Sequence, residues 1–282
     1  YIKILQLLEE KTKNKTEALI PSEIGGASSF GPFICSALND IPILDAPCNG
    51  RAHPLGTMGS LGLSEQNAQT TQVACGGNAK ENRHVELVIT GTVNQAASIV
   101  LTSAIQAGGL VVVGRNPLPV SYIRSHAAVG AYTQSLKVGQ AYLSGTSALQ
   151  KVQNVASVLG GSIIAKGVIS NYKLETRNGL DVGSFIIKRE GAEIQMHFWN
   201  EYMALEIDGK REFTFPDFMM TFDAETGIPF TSAEVENGRS CYLVASKREN
   251  LILGAGMKEK SGYEAIEKAL GIAIVPYCTN LF

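Results

Sequence analysis

Over the first fifteen residues the apolar positions fall three and four apart. Ile2, Leu5 and Leu8, with Ile4 beside them, line one face, and Glu9, Glu10, Lys11 and Lys13 lie beyond it. That spacing predicts an amphipathic helix. Ala18 to Ile20 then reads as a short buried strand, Gly25-Gly26 punctuates it, and Ser28 or Ser29 is placed to cap a helix running to about Leu38. Ile41 to Leu44 is apolar and too short for a helix, so it reads as a strand with Asp45 at its carboxyl end. Strand, turn, helix, strand is the grammar of a parallel α/β layer.

The stretch from Gly56 to Asn82 is rich in Gly, Ser, Thr and Asn and predicts a long ordered excursion with one strand at Thr70 to Ala74. A strand over His84 to Thr90 and a helix over Asn94 to Gln106 follow, the helix ended by Gly108-Gly109. Leu110 to Val113 reads as a central strand, and after the turn at Asn116 to Pro119 two helices are expected, near Ser121 to Tyr132 and Leu136 to Leu159. At Gly160-Gly161 the texture changes to β-type runs: Ile163 to Lys173, Gly183 to Lys188, Glu193 to Trp199 and Met203 to Ile207. Asp208-Gly209, between Ile207 and the alternating run Arg211 to Phe215, is a hairpin signal. A helix near Tyr263 to Leu270 and a strand over Ile272 to Val275 close the chain.

These patterns predict an α/β plus mainly β protein of two domains. The first is an α/β layered N-terminal domain over residues 1–159, and the second an antiparallel β-rich domain over 160–248. A C-terminal segment, 249–282, packs back on either of them. At 282 residues the chain exceeds what one core usually serves.

With 45% hydrophobic and 18% charged residues, the chain carries no disorder signature. A net charge of -2 without a Lys/Arg stripe argues against nucleic acid as a partner. No apolar run reaches ~18 residues, so no membrane partner is expected. Five scattered cysteines without a C-x-x-C pair fit free thiols in a reducing compartment, which implies a cytoplasmic location.

An ordered set of separated motifs then narrows the reading. EIGG (Glu23 to Gly26), PILDA (Pro42 to Ala46), GRAHP (Gly50 to Pro54), FWNEYM (Phe198 to Met203), FPD (Phe215 to Asp217) and DAETG (Asp223 to Gly227) resemble those of the S-methyl thiohydantoin desulfurase-like family (DUF917), over about Ala18 to Tyr277. The resemblance implies two domains, an α/β part before a β-rich part. It also implies metabolism of hydantoin-like or thiohydantoin-like heterocycles alongside hydantoinase and oxoprolinase proteins. Family members commonly begin with a Gly-rich segment upstream, so the N-terminal domain is expected to lack its natural first segment. They also carry an aromatic such as Phe where this chain has His53, which counts against a family-wide catalytic role for His53.

Candidate chemistry concentrates between Pro21 and Met58. Glu23 precedes a Gly-Gly turn whose backbone N–H groups suit an anion; the alternative is a carboxylate that only satisfies local donors. Asp45 and Arg51 bracket a short loop and are placed to pair, presenting the guanidinium to a substrate carboxylate or merely pinning the loop. Cys48 beside Arg51 and His53 suits a lowered thiol pKa, although a buried, inert cysteine is the commoner case. Asn200, Glu201 and Asp217 sit at strand ends in motifs the family shares and are expected to bind substrate from the β-rich domain; ordinary turn hydrogen bonds are the alternative. Asp223 reads as a turn residue. The histidines show no ligand spacing, so the cofactor stays open, with a divalent metal assembled from distant residues as one alternative.

Two functions fit. One is a hydrolase-type enzyme in which Glu23 or Asp45 acts on water and Arg51 orients an acidic heterocycle. The other is a non-catalytic subunit or ligand-binding partner of a hydantoinase or oxoprolinase-type complex. The small residues on the 94–106 helix also suit a homo-oligomer.

Overall fold

Contacts within the computed structural model, which describes residues 1–282, divide the chain into two units. Tyr1–Tyr132 joins Leu253–Glu259, and Thr133–Ile252 joins Lys260–Phe282. The expected change of texture at Gly160 coincides with the start of a strand at Ser162. The compact units divide earlier, after Tyr132.

The N-terminal unit is built on a sheet of order β2-β1-β3, from β1 (Gln69–Gly76), β2 (Val85–Thr92) and β3 (Val111–Arg115). Helix α1 (Ile2–Thr12) lays Ile4 and Leu8 on Val73 of the central strand. At Gly114 a Cβ would come within 2.5 Å of Ile4 Cγ2, so this close packing requires glycine. Helix α3 (Val93–Gln106) packs on β1 and β2, starting from a capping box of Thr92 and Gln95. It ends at Gly108 and Gly109, both at positive φ.

The parallel layer expected around α2 (Gly31–Asn39) does not form; both sheets are antiparallel. What remains is one parallel bridge, Leu19 to Ile43. Pro21 and Pro42 explain the failure, because neither has an N–H with which to extend the ladder. Leu110 to Val113, expected to be a central strand, leads into the half-buried edge strand β3.

Helices α4 (Val120–His126), α5 (Ala131–Ser144) and α6 (Ala148–Val158) take the place of the two expected. The break after α5 follows from Gly145, where a Cβ would meet the Lys151 backbone at 2.6 Å, and from Ser147, whose side chain caps α6.

The C-terminal unit carries an eight-stranded antiparallel sheet of order β10-β9-β11-β4-β5-β6-β7-β8. Its strands are β4 (Ser162–Arg177), β5 (Leu180–Arg189), β6 (Ala192–Trp199), β7 (Glu201–Ile207), β8 (Lys210–Thr214), β9 (Phe218–Asp223), β10 (Pro229–Phe230) and β11 (Ser240–Ser246). Phe185, Ile187, Ile194, Met196, Phe198 and Leu205 form its buried centre. Val152 and Val155 of α6 pack on Phe222, Tyr242 and Val244. The Asp208-Gly209 turn has both residues at positive φ, as a two-residue hairpin with matching twist requires. Helix α7 (Lys260–Leu270) buries Tyr263 and Ile266. The expected strand at Ile272 to Val275 is absent. Glu267 Oε1 accepts the Ile274 and Val275 amides at 2.7 and 3.0 Å, and Pro276 can offer no donor.

Candidate functional site

In the N-terminal unit, two extended segments align to bring a carboxylate against an imidazole. The Cys48 amide donates to the Pro21 carbonyl at 2.9 Å and the Ile24 amide to that of Asn49 at 2.9 Å. Fully buried Asn49 then shapes the loop from inside. Its Nδ2 donates to the Arg51 carbonyl at 2.9 Å, and its Oδ1 accepts the Gly254 amide at 3.4 Å. Both polar atoms of the Asn49 side chain are thereby paired within the turn.

Glu23 sits within this frame. Its Oε2 accepts the His53 backbone amide at 3.0 Å, and its Oε1 accepts the Ser28 hydroxyl at 3.1 Å. Its side chain keeps 19% of its exposure. His53 Nε2 lies 3.4 Å from Glu23 Oε2, near enough for a charge interaction, yet neither ring nitrogen makes a hydrogen bond. The ring packs against Gly59, where a Cβ would sit 3.0 Å from Nε2. Burial pulls the His53 pKa below its usual value and outweighs the opposing pull of Glu23. At neutral pH the imidazole is therefore neutral.

Cys48 is buried, and burial pushes its thiol up to about 11 despite the nearby Arg115 guanidinium. It is a thiol and not an activated nucleophile. Arg115 ends β3 and donates from Nη1 to the Gly56 carbonyl at 3.1 Å, which brings a positive charge to the loop's neighbourhood.

The other sequence candidates have distinct surroundings. Asp45 Oδ1 accepts the Tyr132 amide at 2.8 Å, and Tyr132 in turn donates its hydroxyl to the Ser29 carbonyl at 2.7 Å. Burial, with Asp45 adding to it, pushes the Tyr132 pKa up to about 12. Arg51 Nε donates to the Ala52 carbonyl at 3.2 Å.

In the C-terminal unit Asn200 occupies the turn between β6 and β7 at positive φ, and exchanges bonds with Asp181. Its amide donates to the Asp181 carbonyl and its Oδ1 accepts the Asp181 amide, both at 2.8 Å. Glu201 opens β7 and is half-buried. Asp217 is 1% exposed; it accepts Arg248 Nε at 2.8 Å, the Arg248 amide at 3.0 Å and the Thr214 amide at 3.2 Å. Asp223 closes its turn by accepting the Thr226 amide at 3.0 Å and hydroxyl at 2.9 Å. An open groove lined by Lys173, Leu174, Glu175, Arg177, Val182 and Gly183 holds none of these residues.

Thus Glu23 gains His53 and Ser28 as neighbours, partners that sequence reasoning did not assign to it. The signal for Ser28 was its place after the Gly-Gly turn. For Arg115 it was a lone charge ending an apolar strand.

Family profiles cover nearly the whole chain. The N-terminal domain of S-Me-THD-like proteins matches residues 1–85, and their C-terminal domain matches residues 88–257. The chain belongs to the S-methyl thiohydantoin desulfurase-like family. An S-Me-THD-like protein with an α/β part and a β-rich part is what both the motifs and the sheets describe. The chain is also similar to a protein from Chromobacterium violaceum of known crystal structure. The match has a TM-score of 0.66 at 16% identity and covers 95% of this chain and 73% of that one. At that identity the likeness speaks for the fold. Comparison with curated proteins gives no match. No helix of this S-Me-THD-like chain is long and apolar enough to cross a membrane.

Proposed function

We propose that the chain is a hydrolase-type enzyme acting on hydantoin- or thiohydantoin-like heterocycles, with desulfurisation of an S-methyl thiohydantoin as its reaction. The observation that carries this reading is the Glu23 carboxylate, oriented by the His53 amide and the Ser28 hydroxyl while still partly open to solvent. A carboxylate held by two donors and reachable by water suits a general base. Glu23 takes a proton from water as the water oxygen bonds to the ring carbon bearing the S-methyl group. The carbon–sulfur bond then breaks and methanethiol leaves. In the balance one water is consumed and one thiol released, and the ring C=N becomes an amide. Neutral His53, with Nε2 3.4 Å from Glu23 Oε2, flanks that base without adding a charge to the site. Arg51 orients an acidic substrate in this reading, and Asp45 is the alternative base.

Turnover assays on S-methyl thiohydantoins and hydantoins test it. Thiol release is expected from the wild-type protein, reduced about 10²- to 10⁴-fold in Glu23→Gln. Absence of turnover on every such ring, or a Glu23→Gln variant as active as wild type, overturns the reading.

A second reading, a non-catalytic subunit or ligand-binding partner of a hydantoinase or oxoprolinase-type complex, is favoured by one feature. Along α2 and its N-cap, Phe30, Phe33 and Leu38 are 67%, 50% and 59% exposed, an apolar stripe on one helix face. Under that reading Phe33→Ser abolishes assembly, with itself or with such a partner, in sedimentation experiments. Unchanged sedimentation in the variant removes it.

A further inference from the structure

Away from the Glu23 cluster, three side chains of ligand type converge on the first sheet. Cys75 lies near the end of β1, and Glu86 is its register partner on β2. His84 immediately precedes β2, two residues before Glu86, and its imidazole reaches the same two side chains. The Cys75 Sγ, one imidazole nitrogen of His84 and one carboxylate oxygen of Glu86 all lie within 4.8 Å of one another. His84 Nε2 is 3.7 Å from Glu86 Oε1.

A tetrahedral ion with bonds of ~2.0–2.3 Å has its ligand atoms ~3.5 Å apart. The His84–Glu86 separation already matches that edge. The remaining gaps close by side-chain rotation, since the two side chains are 47% and 45% exposed. The ladder holds the backbone meanwhile, with Cys75 opposite Glu86 and Gly76 opposite Val85. Cys75 packs on one side against the cluster of Ile4, Leu8 and Val73, so the thiolate would be shielded there and open to an ion on the other. Thiolate, imidazole and carboxylate together select a borderline-soft divalent cation over magnesium or calcium, which prefer oxygen alone.

We propose that Cys75, His84 and Glu86 form a binding site for zinc or a similar late first-row divalent cation, with the fourth position left to water. The site uses neither Glu23 nor His53, so it stands or falls apart from the hydrolase reading. Lys3 supplies its natural competitor, with Nζ 3.7 Å from Glu86 Oε2. A bound ion displaces that ammonium from the carboxylate, and the thiol loses its proton on binding.

Cobalt(II) is the direct probe, titrated into the full chain in its reduced form. One equivalent is expected to bind with a thiolate-to-cobalt charge-transfer band, and zinc is expected to displace it. Cys75→Ser should abolish the band. His84→Asn should weaken binding by more than the roughly 10- to 100-fold that loss of an outer-shell partner costs. Lys3→Gln, at an exposed position, should tighten binding roughly two- to five-fold by freeing Glu86. Circular dichroism on each variant confirms that the fold is retained. The proposal is overturned by absence of the band, by a band that survives Cys75→Ser, or by an affinity indifferent to both His84→Asn and Lys3→Gln, which means adventitious metal only. The remaining cysteines, Cys35, Cys48, Cys241 and Cys278, are buried, so a band from one of them would persist in Cys75→Ser.

Discussion

Each unit places a carboxylate beside a cation-capable side chain, and the two pairs are built differently. In the C-terminal unit Asp217 is shut away from solvent and takes the Arg248 guanidinium, the Arg248 amide and the Thr214 amide. In the N-terminal unit Glu23 is partly open, takes one amide and one hydroxyl, and faces a buried imidazole whose Nε2 is 3.4 Å away. The enclosed pair holds structure even though Arg248 Nη1 lacks a hydrogen bond, because removing one member strands the other in a buried setting. The Glu23 carboxylate keeps 19% of its exposure and so stays reachable by a substrate. Residue types alone do not separate the two, because enclosure is a property of the fold.

The largest expected effect follows from the enclosed pair. Asp217→Ala leaves Arg248, itself buried, without its counter-charge. The expected loss is about 3–5 kcal/mol of unfolding free energy in urea denaturation. A loss under about 1 kcal/mol would show that solvent reaches Arg248 and would erase the contrast between the pairs.

Glu23→Gln should do the opposite. The amide keeps an acceptor oxygen for one of its two donors, so stability should move by no more than about 1 kcal/mol. Turnover, by contrast, should fall about 100-fold or more if the carboxylate is the base. A variant that lost stability in step with activity would place Glu23 in the same structural class as Asp217.

The third effect concerns pH. Burial holds the folded pKa of His53 below its usual value of 6.5, so as pH falls the unfolded chain takes up the proton first. The stability that neutral His53 permits is intact above ~6.5 and is lost as the pH drops from there toward the depressed folded value. His53→Phe removes that titration, and its stability should fall less steeply below ~6.5 than that of wild type. His197, also depressed by burial, keeps its own share in both proteins. Identical pH profiles for the two would mean that His53 is solvated.

How much of this was legible in the sequence depends on the range over which each feature is decided. The Asp208-Gly209 hairpin, the α1 stripe and the end of α3 at Gly108-Gly109 are decided by neighbours within a turn, and the chain displays them directly. The apolar runs at Ala18 to Ile20 and Ile41 to Leu44 predict a parallel layer, and Pro21 and Pro42 deny it the donors it needs. Glu23 and His53 stand 30 residues apart, and Asp217 and Arg248 31. What brings the first two together is a pair of backbone bonds and the buried Asn49 side chain, none of which has a periodic signature. The family motifs flagged Glu23 and Asp217 alike, and only the arrangement around each shows one carboxylate enclosed and the other left open.

The smallest effect tests the open carboxylate most finely, through two adjacent glycines. A Cβ on Gly25 would sit 2.8 Å from Ser28 Oγ and 3.3 Å from Glu23 Oε1, whereas a Cβ on Gly26 meets nothing within 4 Å. Neither is at positive φ, so alanine is free of backbone strain at both. Gly26→Ala should be neutral or stabilising by about 0.4–1 kcal/mol, because it restricts only the unfolded chain. Gly25→Ala gains the same restriction but pushes the Ser28 hydroxyl off Glu23, and loses a bond worth about 0.5–1.5 kcal/mol. The variants should therefore differ by about 1 kcal/mol in unfolding free energy, and Gly25→Ala alone should lose turnover. If they behave alike in both measurements, the Ser28 bond does not orient Glu23, and the amide of His53 is left as the donor that aims the carboxylate at water.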